Sequence, residues 1–191
     1  LFLILHHIIG DAWSLNLFLR ETLDTYRALA AGQVPHLNPL PIQYSDYAWW
    51  QQAQQQTGSC TGQVEYWKQQ LADAPRVLEL PADRPRPPLQ TFRGHTEHFL
   101  FSATLTADVT ALSRRNHATP FMVLLSAFAV LLHRYSDQDD FVIGTAIANR
   151  TRAETEDLVG LFVGMLPLRL VLAGDPPFVD LLQRVRRTAL E

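Results

Sequence analysis

Two adjacent histidines near the start of the chain are the residues best suited to chemistry. His6 and His7 follow an apolar run, residues 1–5, and precede Gly10 and Asp11. Histidine is the one side chain whose unperturbed pKa lies near neutrality, so it suits proton transfer. In a helical turn Asp11 would share a face with His7 and could fix the turn or the imidazole tautomer. For an isolated HxxxD pattern, however, ordinary histidines at a strand end are the commoner explanation.

The elements on either side of the histidines predict a rigid support for them. The unbroken apolar run at residues 1–5 predicts a buried strand. An amphipathic helix is predicted from Ser14 to about Leu29, with Gly32 at its C-terminal cap. A strand, a polar turn and a helix in this order can hold reactive side chains in fixed positions.

The middle of the chain contains three compositionally distinct segments. Residues 44–50 are an aromatic cluster, and the glutamine-rich residues 51–67 predict a solvated helix. Residues 78–88 are rich in proline, which lacks a backbone N–H and excludes a helix interior, so they predict an extended connector. The alternating residues 93–101 predict a strand.

The second half of the chain predicts helices alternating with strands. A helix capped by Thr106 is followed by a second one, buried on most sides, that starts at Thr119-Pro120. Strands are predicted at residues 141–147 and 166–172, and a last helix follows the prolines after Asp175. The elements therefore predict a mixed α+β or α/β fold.

Composition limits the possible functions. The 191 residues suffice for one domain or a two-lobed one. A net charge of −3 without a basic cluster argues against nucleic-acid binding, and no apolar run approaches the roughly 20 residues of a membrane span. The single cysteine, Cys60, excludes an internal disulfide and favours the cytoplasm. No spacing typical of metal ligands is present, so we expect no metal.

Three ordered motifs carry a family resemblance. The segment from His6 to Ala12 resembles the HHxxxDG signature of condensation domains from nonribosomal peptide synthetases, with Ala12 where the family usually has glycine. Residues 44–50 resemble the family's YxDYAxW motif. Residues 159–169 resemble its VGxFVNTxxxR motif, with Gly164 and Met165 in place of asparagine and threonine.

The resemblance implies the two-lobed fold of the chloramphenicol acetyltransferase-like superfamily, in which each lobe is a sheet packed with helices. We expect residues 1–80 to be the later part of the first lobe and residues 81–88 to be the proline-rich connector. Residues 89–191 would be the first part of the second lobe. Because a condensation domain is roughly twice this long, we expect an internal fragment, incomplete at both ends and inactive alone.

The resemblance also implies an activity and roles for single residues. Condensation domains are acyltransferase-type enzymes that join two carrier-bound thioesters through a peptide bond. His7 would be the catalytic histidine, while His6 and Asp11 would support its turn. Gly10, with Trp13 and Ser14, would lie at the substrate channel or hold the turn. In the family the aspartate pairs with an arginine from an earlier motif, which we expect ahead of Leu1.

Partners and alternatives follow from the same resemblance. The substrates would be tethered to phosphopantetheine on upstream and downstream carrier proteins, with an adenylation domain in the same synthetase and no cofactor bound directly. The alternatives are a related CoA- or carrier-dependent acyltransferase, an epimerisation domain, or a non-catalytic module that docks a carrier or a tailoring enzyme.

Overall fold

A computed structural model describes residues 2–85 and 87–191. Contacts divide the chain into two compact units, each made of two stretches of sequence. The first unit comprises the residues up to Gln69 together with Thr145–Leu166. The second comprises Gln70–Gly144 and Pro167–Glu191. The lobe boundary at residues 81–88 stays a prediction, and one of its residues, Arg86, lies outside the described residues, as does Leu1.

Three helices belong mainly to the first unit: α1 (Ala12–Ala30), α2 (Tyr44–Gln56) and α3 (Thr61–Gln70). Helix α1 begins directly after Asp11, whose carboxylate caps it by accepting the N–H of Ser14 at 2.9 Å. The glutamine-rich segment forms two helices instead of the single predicted one. The chain turns between them at Gly58, whose φ of 69° is in the left-handed region.

The core of the first unit is small and aromatic. Tyr47 from α2 packs with Leu158 and Phe162, and Ile42 and Tyr44 lie against them. The ring of Phe162 is 4.7 Å from that of Tyr47 and 5.3 Å, edge-on, from that of Tyr44. The aromatic cluster therefore packs against the segment around Phe162.

The second unit contains α4 (Ala103–Arg115), α5 (Pro120–Ser136) and α6 (Phe178–Leu190). The predicted start of α5 is confirmed, because the Thr119 hydroxyl accepts the N–H of Met122 and Pro120 is the first helical residue. The buried core of this unit comes from α5, α6 and the strands: Met122, Val123, Leu125, Ala129, Leu132, Phe141, Leu168, Leu170, Leu172, Leu181, Leu182 and Val185.

Strands β1 (Asp140–Ile147) and β2 (Gly164–Val171) form a two-stranded sheet. The Leu172 N–H donates to the Asp139 carbonyl at 2.7 Å, so the start of β1 lies beside the end of β2. This register makes the pair antiparallel. Both predicted strands are confirmed here, as is the burial of alternate leucines along β2.

Two other predicted strands are wrong. Residues 2–5 form no strand, and Phe2 and Ile4 are almost fully exposed. Residues 93–101 also form no strand, and Leu100 is exposed. A strand needs a partner for its N–H and C=O groups, and within the described residues neither segment pairs with another.

Helix α4 begins earlier than its predicted Thr106 cap. Ser102 caps it, with its hydroxyl accepting the N–H of Leu105 at 3.1 Å. Helix α5 is also less buried than its composition predicts. Phe121 and Phe128 on one of its faces are about half exposed. Composition does not say how many faces of a helix are covered by other elements.

In the described ranges, 2–85 and 87–191, no single helix is long and apolar enough to cross a membrane. Helices α4 and α5 taken together have the required length and apolar composition, but the chain bends by 103° between them.

Candidate active site

Asp11 is buried and accepts several hydrogen bonds at the predicted site. Its side chain is 4% exposed. One carboxylate oxygen accepts the Ser14 N–H and hydroxyl, each at 2.9 Å. The other accepts the N–H groups of Phe162 and Val163 at 3.0 and 3.1 Å. The carboxylate thus ties the start of α1 to a segment about 150 residues further along the chain.

Arg150 completes the surroundings of this carboxylate. Its guanidinium is 1% exposed, and its Nη2 lies 3.4 Å from the Asp11 carboxylate. Its Nη1 donates to the carbonyls of Leu158, at 2.8 Å, and Thr155. The guanidinium also lies over the ring of Phe162, with Cζ 4.0 Å from the centroid. Arg150 therefore both neutralises Asp11 and holds together the loop that surrounds it.

The structure gives Asp11 an arginine partner that the sequence did not predict, Arg150, which lies three residues after the end of β1. The arginine expected ahead of Leu1 lies outside this sequence and stays a prediction. Sequence reasoning missed Arg150 because 139 residues separate it from Asp11. Two of the amides that donate to Asp11, those of Phe162 and Val163, do lie in a segment that the motifs had identified.

Ser14 is buried at the centre of the same network. Its hydroxyl accepts the Gly160 N–H and the Arg150 Nη2, both at 3.0 Å. It can donate to the Asp11 carboxylate at 2.9 Å or to the Gly160 carbonyl at 2.7 Å. Because a hydroxyl has one donor and two acceptor sites, Ser14 is fully hydrogen-bonded.

Gly160 is required where the loop passes the aromatic cluster. A Cβ built on Gly160 would overlap the ring of Tyr44. The Tyr44 hydroxyl donates to the Leu161 carbonyl at 2.8 Å, which fixes the ring in that place. The YxDYAxW-like and VGxFVNT-like segments therefore pack directly against each other behind Asp11.

The electrostatics of the network favour an ionised Asp11. Burial alone would raise its pKa, because a charge is less stable away from water. The backbone N–H groups of Ser14 and Phe162, the Ser14 hydroxyl and the charge of Arg150 outweigh this effect and lower the pKa to about 2. Asp11 is therefore an anion at neutral pH and cannot serve as a proton donor there.

The two histidines lie on an exposed turn immediately before this network. His7 begins a short 3-10 helix, His7–Ile9, and both imidazoles are exposed. The His6 Nδ1 accepts the Ile8 N–H at 3.1 Å, so His6 caps the turn. Asp11 hydrogen-bonds to Ser14, Phe162, Val163 and Arg150, so its carboxylate fixes the backbone beyond the turn and not the imidazole tautomer.

The remaining predicted site residues lie beside the same turn. Trp13 is partly exposed, and its indole N–H donates to the Glu156 carbonyl at 2.8 Å. Gly10 is extended, and a Cβ there would be 3.2 Å from that of Ser14, a tight contact. Within residues 2–85 and 87–191 no cluster of three or more His, Cys, Asp or Glu is arranged to hold a metal ion.

Comparison with known families identifies the chain. The model of the family described as Condensation domain matches residues 1–191. This chain belongs to the condensation-domain family. It is 46% identical, over 98% of its length, to a linear gramicidin synthase of Brevibacillus parabrevis. It is 42% identical over its full length to phosphinothricin tripeptide synthetase PhsC from Streptomyces viridochromogenes. The chain spans 2% and 18% of these two relatives.

Solved structures support the same assignment. The X-domain from teicoplanin biosynthesis matches with a TM-score of 0.87 and 30% identity. A four-domain nonribosomal peptide synthetase bound to AMP and glycine matches with a TM-score of 0.82 and 28% identity. Each match covers 97% of this chain, but 42% of the first structure and 14% of the second. The mixed helix-and-sheet fold expected of a chloramphenicol acetyltransferase-like domain is therefore confirmed.

Proposed function

We propose that this chain supplies the catalytic turn of a condensation domain that forms peptide bonds in nonribosomal peptide synthesis. The observation that carries the proposal is the exposed His7 on a turn that ends at Ile9. Two residues further on, Asp11 is held by hydrogen bonds from Ser14, Phe162 and Val163 and by Arg150. Such a turn keeps an imidazole accessible to substrate while the backbone beneath it stays in place.

In the proposed reaction the amine of a downstream aminoacyl thioester attacks the carbonyl carbon of an upstream acyl thioester. The C–N bond forms, the C–S bond breaks, and the amine proton ends on the departing thiol. An α-amine has a pKa near 8, so about a tenth of it is neutral at pH 7 and its deprotonation costs only about 1.4 kcal/mol. His7 therefore acts best by positioning the amine and by accepting its proton late, as the C–N bond forms.

The other site residues have structural roles in this proposal. His6 caps the turn, and Asp11, Ser14 and Arg150 hold the start of α1 against the Phe162 segment. Gly10 allows the chain to pass close to Ser14, and the Trp13 indole N–H donates to the Glu156 carbonyl beside the turn. A misplacement of about 1 Å can slow a reaction about 10²-fold, so these residues affect rate through position.

The proposed substrates are thioesters on the phosphopantetheine arms of carrier proteins, and the partners are those carriers and an adenylation domain. Support comes from the relatives, which are synthetases, and from the AMP and glycine bound to one matching synthetase. No cofactor is proposed to bind this chain directly.

The test is His7→Ala in the longer synthetase that contains this domain. We expect peptide-bond formation from two loaded carriers to fall by roughly 10² or more, because acid–base and positioning effects are of that size. The matched control is His36→Ala, which removes another exposed histidine. Product is measured by mass spectrometry and folding by circular dichroism, and a His7 variant within a few-fold of the parent would refute the assignment.

We also propose that the 191 residues alone do not catalyse condensation. The solved relatives are more than twice as long as the matched region, and their additional residues would enclose the reacting thioester. Excluding water matters because hydrolysis competes with the amine for the thioester. The measurement is dipeptide formation by residues 1–191 with both loaded carriers, and turnover equal to that of the longer protein would disprove this.

A second candidate is a non-catalytic docking module. It is favoured by the likeness to a second structure of the teicoplanin X-domain, in which the domain is bound to OxyB. That structure matches this chain with a TM-score of 0.86. Under this alternative the His7→Ala variant would retain all activity of the synthetase, whereas loss of the product favours catalysis.

A further inference from the structure

A polar cavity of about 310 Å³ lies beside α2 in the first unit, and its lining includes neither Asp11 nor either histidine of the turn. Its walls combine the rings of Tyr47 and Trp50 with the guanidinium of Arg152. No carboxylate residue lines it. It is also unusually rich in side-chain amides, which come from Gln51, Gln54, Gln55, Gln63 and Asn149.

Among the described residues that line this cavity, Arg152 is the only charged one. Its guanidinium lies over the indole of Trp50, with Cζ 4.5 Å from the ring centroid. In the part of the chain that the structure describes, no carboxylate lies within salt-bridge distance of it. A guanidinium oriented by an aromatic ring and not paired with an acid is well prepared to bind a carboxylate with two parallel hydrogen bonds.

The nearby acids do not replace such a ligand. Asp46 and Glu154 line a different cavity, of about 250 Å³, which Arg152 and Trp50 also border. The Asp46 carboxylate accepts the Gln43 N–H at 2.8 Å and so caps the start of α2. The amide-lined cavity therefore keeps a net positive character.

The amides add a second requirement for the ligand. Each glutamine or asparagine side chain offers one carbonyl acceptor and one NH₂ donor, the same pair of groups that a peptide bond presents. Within the described residues, Gln54 accepts the Ser59 hydroxyl at 2.7 Å, while the side chains of Gln51, Gln55 and Asn149 have no hydrogen bond to protein. The cavity is about ten times the roughly 30 Å³ that one water occupies, so it can hold on the order of ten non-hydrogen atoms.

We infer that this cavity binds a carboxylate carried on a peptide-like group, such as an acidic residue of a peptide. Arg152 binds the carboxylate, and the amides of Gln51, Gln55 and Asn149 bind the flanking peptide groups. The inference is independent of the proposed peptide-bond formation, because it uses none of the residues around His7 and Asp11.

The first test is a titration with N-acetyl-aspartate amide, which carries one carboxylate and two amide groups. We expect a Kd on the order of 1 mM, typical of a ligand this small, with shifts of the side-chain NH₂ signals of Gln51, Gln55 and Asn149 in NMR spectra. N-acetyl-asparagine amide, which has the same shape without the charge, should bind at least about tenfold more weakly. Equal binding of the two amides, or the same shifts with inorganic phosphate at equal affinity, would overturn the inference.

The second test uses variants and the single cysteine. Arg152→Gln should weaken binding of N-acetyl-aspartate amide at least about tenfold, because the charge-assisted hydrogen bonds are lost. Arg20→Gln is the matched control and should leave binding unchanged, because Arg20 is an exposed arginine of the same unit outside this cavity. Cys60 also lines the cavity, so bound ligand should slow its alkylation in the parent protein but not in the Arg152 variant. Unchanged affinity in the Arg152 variant, with a parental melting temperature, would contradict the assignment.

Discussion

Two of the aspartate–arginine pairs in this chain are built in opposite ways. In the first unit, Asp11 and Arg150 have side chains 4% and 1% exposed and lie 3.4 Å apart. In the second, Asp140 and Arg169 are 29% and 24% exposed and meet through two hydrogen bonds of 2.7 and 3.0 Å. The more buried pair thus has the weaker direct contact.

This difference reflects what surrounds each charge. Asp11 receives four hydrogen bonds from Ser14, Phe162 and Val163, so its charge is stabilised mostly by neutral groups. Asp140 instead raises the pKa of Arg169 through direct hydrogen bonds. Arg169 also donates to the Ala72 carbonyl at 2.6 Å. The first pair organises a backbone turn, whereas the second is a conventional bidentate ion pair.

The largest effect is expected for Asp11→Asn. The amide cannot accept all the N–H groups that now point at the carboxylate, and it leaves Arg150 as a buried charge without its counterion. We expect a loss of about 3–5 kcal/mol in the free energy of unfolding, or insoluble protein. Urea unfolding of the variant and the parent protein measures this change in the free energy of unfolding.

The control for Asp11→Asn is Asp157→Asn, which breaks the exposed pair with Arg20 and should cost no more than about 1 kcal/mol. A parental melting temperature for Asp11→Asn, with turnover lost, would mean that Asp11 acts in the chemistry.

The next effect is acid destabilisation of the first unit. Because folding lowers the pKa of Asp11 from 3.8 to about 2, the folded state gains stability above pH 3.8 and loses it as the pH falls towards 2. The contribution of Asp11 at neutral pH is about 2 kcal/mol.

Carboxyl NMR titration gives the pKa of Asp11 directly. Ser14→Ala, which removes the hydroxyl donor, should raise that pKa. A native Asp11 that titrates near 4 would show that the network does not stabilise its charge.

The smallest effect is expected for Asp140→Asn. The pair with Arg169 is partly exposed, so water can replace part of what is lost, and we expect about 1–2 kcal/mol. High salt should reduce this difference more than it reduces the effect of Asp11→Asn. Thermal unfolding of the Asp140→Asn and Asp11→Asn variants at low and high salt measures the two effects. If salt reduced the destabilisation of both variants equally, the contrast between the two pairs would be contradicted.

Local signals in the sequence predicted the two paired strands and the start of α5 well, although α4 begins four residues before its predicted cap and residues 51–67 belong to two helices. Thr119-Pro120 and the leucine alternation along β2 depend on neighbours a few residues away, so their patterns are visible in the sequence. The strand predicted at residues 2–5 was wrong because an apolar run indicates that a segment favours burial, but not whether a partner strand is present. The motifs identified Asp11 and the segment around Phe162, but not that one binds the other.

Arg150 was missed for a related reason. Its position after β1 carries no local pattern, and its role arises only when the chain folds back over 139 residues. The cavity lined by Arg152 was missed for the same reason, because its residues come from α2, the turn after it, the start of α3 and the segment that follows β1.

The contact between Gly160 and Tyr44 has a consequence for protein engineering. Since a Cβ on Gly160 would overlap the ring, a library that randomises position 160 alone would return almost only the parental residue. Randomising positions 44 and 160 together would open combinations in which a smaller side chain at 44 makes room. Efforts to recombine condensation domains should therefore take both segments from the same parent, so that aromatic ring and glycine are exchanged as one unit.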